Sequence, residues 1–233
     1  ITDEAGNRRY FDPKTFVMAE GEQTIDGKTY TFDEKGVGTL KQDKWNQLLE
    51  TYENDSSVNQ LIFVQYQGGS NAQVILYEKQ NGSWKEDFSC QGYVGGNGID
   101  KVKEGDRKTP TGVFGFTKAF GIKDNPGAKL PYTKLNPYLY WCGDEQWYNT
   151  LVDVRETPHE CSGEHLISYV PHYNYVLAID YNPECIFGKG SAIFLHCTGS
   201  NPYTGGCVAV SESNMIRIMQ TVEKGAKICI YPQ

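Results

Sequence analysis

No apolar stretch in this 233-residue chain is long, and Leu61-Ile62-Phe63-Val64 is typical of the longest. After residue 58 the apolar segments are closed by turn residues. Segments 61–66, 72–79 and 84–93 are separated by Gln67-Gly68-Gly69-Ser70-Asn71 and Gln80-Asn81-Gly82-Ser83. Asn81-Gly82 suits a type I′ turn, in which both central residues take positive φ. A chain divided this way folds as short strands rather than as a helical bundle. None of its segments approaches the roughly 18 apolar residues of a membrane-spanning helix. Further strands are expected at 112–117, 175–181, 192–195 and 227–231. The 13% aromatic content, 25 Gly and 16 Tyr fit packed rings and tight turns, not a disordered chain.

Two helices are expected. Trp45, Leu48, Leu49 and Tyr52 recur at helical spacing within 41–56. Met215, Ile218, Met219 and Val222 line one face of 213–223, with Ser211 or Ser213 to cap it and Gly225 to end it. The fold class is therefore mainly β with one or two helices.

The 22 basic and 29 acidic side chains give a net charge of −7. That balance argues against a nucleic-acid partner, which needs a basic stripe against phosphates. Ile1 carries no initiator Met, basic n-region or signal h-region, and the chain is expected to be a piece of a longer protein. Seven cysteines suit three disulfides and one free thiol in an oxidising compartment, or seven thiols in a reducing one. The count leaves both open.

Residues 1–40 differ from the rest. Gly6-Asn7-Arg8-Arg9-Tyr10-Phe11-Asp12 and Asp26-Gly27-Lys28-Thr29-Tyr30-Thr31-Phe32-Asp33 are two versions of one unit. In each a turn pair precedes an alternating aromatic strand, and Asp33-Glu34-Lys35-Gly36 forms a second turn. Such hairpins bury their rings only by stacking on one another. The segment from Gly21 to Asp33 resembles the choline- or glucan-binding-type cell-wall repeat of Gram-positive surface proteins. That repeat carries a Trp after its first Gly for cation–π capture of a quaternary ammonium; here the position is Glu22. A truncated structural spacer is the alternative to a binding unit.

The segment 118–172 carries Pro126, Pro131, Pro137, Pro158 and Pro171 together with Tyr132, Tyr138, Tyr140, Trp141, Trp147 and Tyr148. This combination predicts an irregular but ordered lid.

Chemistry concentrates near the C-terminus. Ser191-Ala192-Ile193-Phe194-Leu195-His196 reads as a buried strand ending in a histidine, and Thr204-Gly205-Gly206-Cys207-Val208 follows it. A thiol becomes a nucleophile as thiolate, and a neighbouring His lowers its pKa. Two glycines let consecutive N–H groups converge as an oxyanion hole. Taken singly, the Cys reads equally as a buried thiol or half a disulfide, and the His as a hydrogen-bonded core residue. A third segment, Gly105-Asp106-Arg107-Lys108-Thr109-Pro110-Thr111-Gly112-Val113-Phe114, changes that balance.

Together the three segments resemble the catalytic domain of the L,D-transpeptidases (YkuD-type). That family carries Thr-Pro-x-Gly-x-Phe, a strand-end His and Ser/Thr-x-Gly-Cys in this order, over roughly residues 58–233 here. The resemblance implies a β-sandwich-like catalytic domain over 41–233, with the lid inserted at about 118–172 and the repeat at 1–40. It implies Cys207 as nucleophile and His196 as base, oriented by the Cys197 carbonyl. It also implies oxyanion donors at Gly206 and Cys207, with Tyr203, Thr204, Gly205 and His165 facing substrate. Many members carry His at the position of Gly205, and Arg or Asn at that of Ala209. Arg155, His159 or His165 are the candidate substitutes from the insertion.

The implied reaction is acyl transfer on peptidoglycan stem peptides. A Cys thioester forms with release of D-Ala, and an amine acceptor then gives a 3→3 cross-link. An L,D-carboxypeptidase or endopeptidase using the same residues, or a non-catalytic wall-binding protein, are the alternatives. Carbapenems are the expected inhibitors. The cell-wall polymer is the expected partner of the repeat, and the wall outside the cell the expected location. No cofactor and no metal are implied, His159-x-Cys161 with His165 being a weak zinc pattern. Cys142 and Cys161 flank the aromatic part of the lid, and a disulfide between them is expected to pin it. His172 reads as a loop residue.

Overall fold

A computed structural model of the protein describes residues 9–12, 16–25, 28–40 and 43–233. It divides into two units, Ile1–Asn54 and Asp55–Gln233. The expected turn pairs Gly6-Asn7 and Asp26-Gly27 lie outside the described residues.

The first unit contains β1 (Gly21–Ile25), β2 (Lys28–Phe32), β3 (Gly38–Leu40) and α1 (Lys44–Glu53). The three strands form an antiparallel meander, with Gly21 opposite Phe32 and Phe32 opposite Gly38. At the expected second turn, Asp33 accepts from the Lys35 and Val37 N–H groups at 2.9 and 2.8 Å. Helix α1 is shorter than the spacing predicts because Asp43 caps it, accepting from the Trp45 and Asn46 N–H groups.

The second unit begins with β4 (Gln60–Gly68), β5 (Asn71–Gln80) and β6 (Ser83–Tyr93). These are the three long strands that the sequence announces, and Asn81 and Gly82 take φ +53 and +80 at their expected turn. There follow β7 (Gly112–Phe114), β8 (Phe116–Gly121), β9 (Tyr132–Lys134), β10 (Leu139–Cys142), β11 (Thr150–Asp153) and β12 (Glu164–His165). The chain closes with β13 (Val176–Ile179), β14 (Phe194–Cys197), β15 (Val208–Val210), α2 (Glu212–Thr221) and β16 (Lys227–Pro232).

Ten strands join one mixed sheet in the order β7-β16-β4-β5-β6-β15-β14-β13-β8-β9. The expected mainly β, two-helix domain is present, and pairing of β6 with β15 makes its sheet continuous. Both ends of the sheet meet one core. Ile62 and Val64 of β4, Leu177 of β13, Leu195 of β14 and Ile228 of β16 pack there with Met215, Ile218 and Met219 of α2. Ser211 rather than Ser213 caps α2, and the helix stops at Val222, before Gly225.

A second core lies on the opposite face of β8, β13 and β14. Phe120, Val176, Ala178 and Phe194 contact Leu139, Trp141, Leu166 and Tyr173 there. Trp141 lies edge-on to Phe194 at 4.9 Å between ring centroids. Truncating a ring so enclosed typically costs about 3–5 kcal/mol.

The insertion is more ordered than a lid of loops. Its first part, β8 and β9, belongs to the main sheet, and β10, β11 and β12 form a sheet of their own in the order β11-β10-β12. Cys142 and Cys161 are both free thiols, so the disulfide expected between them is not formed.

Candidate active site

Strand alternation places the imidazole. In β14, Leu195 and Cys197 enter the α2 core while Phe194 and His196 face the other way. The strand starts two residues later than the sequence suggests because Ala192 takes φ +53. His196 lies inside the strand, which runs on to Cys197. It is 5% exposed and lines a cavity of about 860 Å³ whose wall also contains Cys207. The His196 Nδ1 donates to the Cys197 carbonyl at 2.8 Å, which leaves Nε2 with its lone pair. Burial, followed by the nearby His172, pulls the imidazole down to about 4, against an opposing effect of the Cys197 hydrogen bond. The ring is neutral at neutral pH.

The Cys207 loop is held from two directions. Thr204 Oγ1 and Thr109 Oγ1 both donate to the Cys207 carbonyl, at 2.7 and 2.9 Å. Thr109 also accepts from the Gly95 N–H at 2.8 Å. Gly206 takes φ +147, and a Cβ there would sit 2.9 Å from the Lys108 carbonyl, so a side chain is excluded twice over. The Gly206 N–H donates to Thr204 Oγ1 at 3.1 Å. The N–H expected as an oxyanion donor is thus engaged within the resting loop.

The thiol rests away from the His196 imidazole. Cys207 Sγ donates to the Ala192 carbonyl at 3.2 Å and accepts from the Phe194 N–H at 3.3 Å. Among the described residues it makes no hydrogen bond to His196. Burial, followed by the Glu164 charge, pushes the thiol up to about 12. The sequence expectation that a neighbouring His lowers its pKa is thus overturned: desolvation disfavours both charged forms, and the resting pair is thiol and neutral imidazole. The Ala192 carbonyl that holds the thiol is itself fixed. Asn149 Oδ1 accepts from the Ala192 N–H at 3.2 Å and from Trp141 Nε1 at 3.0 Å.

Charged groups ring the cavity. Lys101 and Asp106 form a buried pair at 2.9 Å. Burial works against the Asp106 carboxylate, yet the Lys101 ammonium and three backbone N–H groups hold it well below the usual range. Glu104 accepts from the Ser191 hydroxyl at 3.0 Å and from the Tyr148 hydroxyl. Burial raises Glu164 to about 7, against the hydrogen bond donated by Tyr173.

Tyr203, Thr204 and Gly205 line the cavity, and the Arg107 guanidinium lies over the Tyr203 ring at 5.2 Å. His165 does not line it. Because side chains alternate along β12, Glu164 enters the cavity while His165 stacks on Tyr140 at 4.5 Å. Both His165 nitrogens are engaged, by Pro137 and Ser168. Nor do the other candidates for the role absent at Ala209 reach the cavity. Arg155 forks onto Asp153 and covers Tyr138, and His159 faces Cys142. His172, expected as a bland loop residue, does line the cavity, 5.9 Å from His196. Glu164, Glu104, Lys101 and Asn149 carry no motif and were invisible before folding.

The family model for the YkuD L,D-transpeptidase catalytic domain matches residues 43–230. No curated protein shows significant similarity to the chain. Among solved structures, Bdellovibrio bacteriovorus Bd1075 is 15% identical, with 75% of this chain and 48% of that one covered and a TM-score of 0.42. The helical cell shape determining protein Pgp2 from Campylobacter jejuni is 18% identical, with 80% and 55% covered and a TM-score of 0.41. A cysteine-to-serine mutant of the Enterococcus faecium L,D-transpeptidase is 12% identical, with 97% and 74% covered and a TM-score of 0.34. The chain spans about half the length of the first two.

Proposed function

The chain belongs to the YkuD family of L,D-transpeptidase catalytic domains, and from that premise we propose that it joins peptidoglycan stem peptides by 3→3 cross-links through a thioester on Cys207. The observation that carries the reading is the sharing of one cavity by Cys207 and His196, with His196 Nδ1 tied to the Cys197 carbonyl.

The chemistry follows from the neutral resting pair. Substrate entry displaces the thiol from the Ala192 carbonyl and turns Sγ toward His196. Nε2 takes the thiol proton as Sγ attacks the carbonyl of the third stem residue, a diamino acid, at its L-centre. The Cys207 N–H is the oxyanion donor in this scheme, Gly206 being engaged. The C–N bond to D-Ala breaks, and the imidazolium protonates the leaving amine. A side-chain amine of a second stem then attacks the thioester, gives its proton to His196, and the thiol is restored. Water as acceptor would give an L,D-carboxypeptidase. Carbapenems would acylate the same thiol.

The repeat-like hairpin β1–β2 supports a location in the cell wall outside the cell, with the first unit contacting wall polymer. Local tethering raises the effective concentration of substrate.

Purified tetrapeptide-stem muropeptides test the reading. Cross-linked dimers with released D-Ala are expected, and they must vanish in Cys207→Ala. Tripeptides alone would replace transfer by hydrolysis, and unchanged substrate would overturn the enzymatic reading.

A further inference from the structure

The insertion brings together four donor atoms from two short segments, Cys142 and Asp144 on one side, His159 and Cys161 on the other. Their ligand atoms all lie within 4.8 Å of one another. Cys142 Sγ is 3.1 Å from Asp144 Oδ2 and 3.3 Å from His159 Nε2, and Asp144 Oδ2 is 3.6 Å from His159 Nε2. A tetrahedral zinc with metal–sulfur bonds near 2.3 Å and metal–nitrogen or metal–oxygen bonds near 2.0–2.2 Å has ligand–ligand edges of about 3.3–3.8 Å. The observed spacings lie close to those edges.

The supporting contacts have the form that a metal centre requires. His159 Nδ1 donates to the Thr157 carbonyl at 2.7 Å. That bond fixes the tautomer and aims the Nε2 lone pair at the two sulfur-bearing residues and the carboxylate. Asp144 is itself oriented, its Oδ1 accepting from Ser162 Oγ at 2.7 Å and its Oδ2 from the Ser162 N–H at 3.2 Å. Cys142 is buried and the other three are half-buried.

We propose that Cys142, Asp144, His159 and Cys161 bind one zinc ion in a closed, structural site. Thiolate, imidazole and carboxylate together suit a borderline-soft divalent cation, and four protein ligands leave no open position for catalysis. Binding releases the two thiol protons and places three ligand charges against the two of the ion. The metal clips the end of β10 to the loop before β12. Gly143, Ser162, Gly163 and Glu164, adjacent to the ligands, form part of the cavity wall. The site does the pinning expected of a disulfide between Cys142 and Cys161, and it adds a metal where the family resemblance implies none. The proposal does not depend on which reaction Cys207 performs.

The test is metal content of the whole chain, purified without chelator after growth with zinc. About one zinc per chain is expected. Cobalt in its place should show sulfur-to-metal charge transfer and the visible bands of a tetrahedral ion. Cys142→Ser and Cys161→Ser should lose the metal, while Cys90→Ser keeps it. Wild-type protein that takes up no stoichiometric zinc or cobalt, or that denatures with Cys142 and Cys161 joined and unavailable to alkylation, overturns the proposal. So does metal retained in both cysteine variants. The wild-type stoichiometry and cobalt spectrum decide the question even if a variant fails to fold.

Discussion

Thr109 Oγ1 donates a 2.9 Å hydrogen bond to the carbonyl oxygen of Cys207, 98 residues further along the chain. The same hydroxyl accepts from Gly95. One fully buried side chain thus sets the height of the loop that carries the thiol. Thr109→Val keeps the shape and removes both bonds, leaving the Gly95 N–H without its acceptor. A loss of about 1–3 kcal/mol in stability is expected, with slower acylation of Cys207. Thr109→Ser should restore most of both. Thermal melts and a β-lactam acylation time course read the two effects separately. Equal behaviour of the Val and Ser variants would remove the hydroxyl from the account.

Gly206→Ala tests the loop from its other side. The substitution places a Cβ at φ +147 and 2.9 Å from the Lys108 carbonyl. Strain of about 1–3 kcal/mol is expected, and acylation should fall more than global stability because the displaced backbone adjoins Cys207, the proposed nucleophile. A variant with wild-type acylation and melting would show that the loop tolerates a side chain.

His196 and Glu164 should leave opposite marks on stability against pH. The folded value of His196, about 4, lies below its ordinary 6.5. The unfolded chain therefore binds the proton first, and this contribution falls as pH drops from about 6.5 to 4. Glu164 is raised from 4.5 to about 7. The folded state keeps that proton longer, so stability present below pH 4.5 is lost as pH rises to 7. Each effect is on the order of 3 kcal/mol at full extent, and in the wild type they largely cancel. Glu164→Gln should expose the His196 slope, with stability rising steeply from pH 4 to 6.5 in denaturant titrations. A profile parallel to wild type across that window would contradict the assignment of both groups.

Legibility in the sequence followed the range of the forces involved. Strands β4, β5 and β6 were visible because alternation and the Asn81-Gly82 turn are local. The offset start of β14 was not, because Ala192 adopts positive φ under restraint from Asn149, a residue 43 positions away. The sheet β11-β10-β12 is not legible in the sequence because its strands are two to four residues long and prolines surround them. Cys207 and His196 could be selected by motif, but their protonation could not, since burial decides it. His165 stands out by residue type and Glu164 does not, yet the two-residue strand turns Glu164 into the cavity and His165 onto Tyr140. His159 and Cys161 make only a weak pattern in the sequence, and the fold brings Cys142 and Asp144 to them from across the insertion.

Intact-mass measurement with peptide mapping after incubation with a carbapenem asks whether Cys207 is the acylated nucleophile. A single adduct is expected on the peptide containing Cys207, absent in Cys207→Ala and formed much more slowly in His196→Gln. No adduct, or an adduct on another residue that persists in Cys207→Ala, would contradict it.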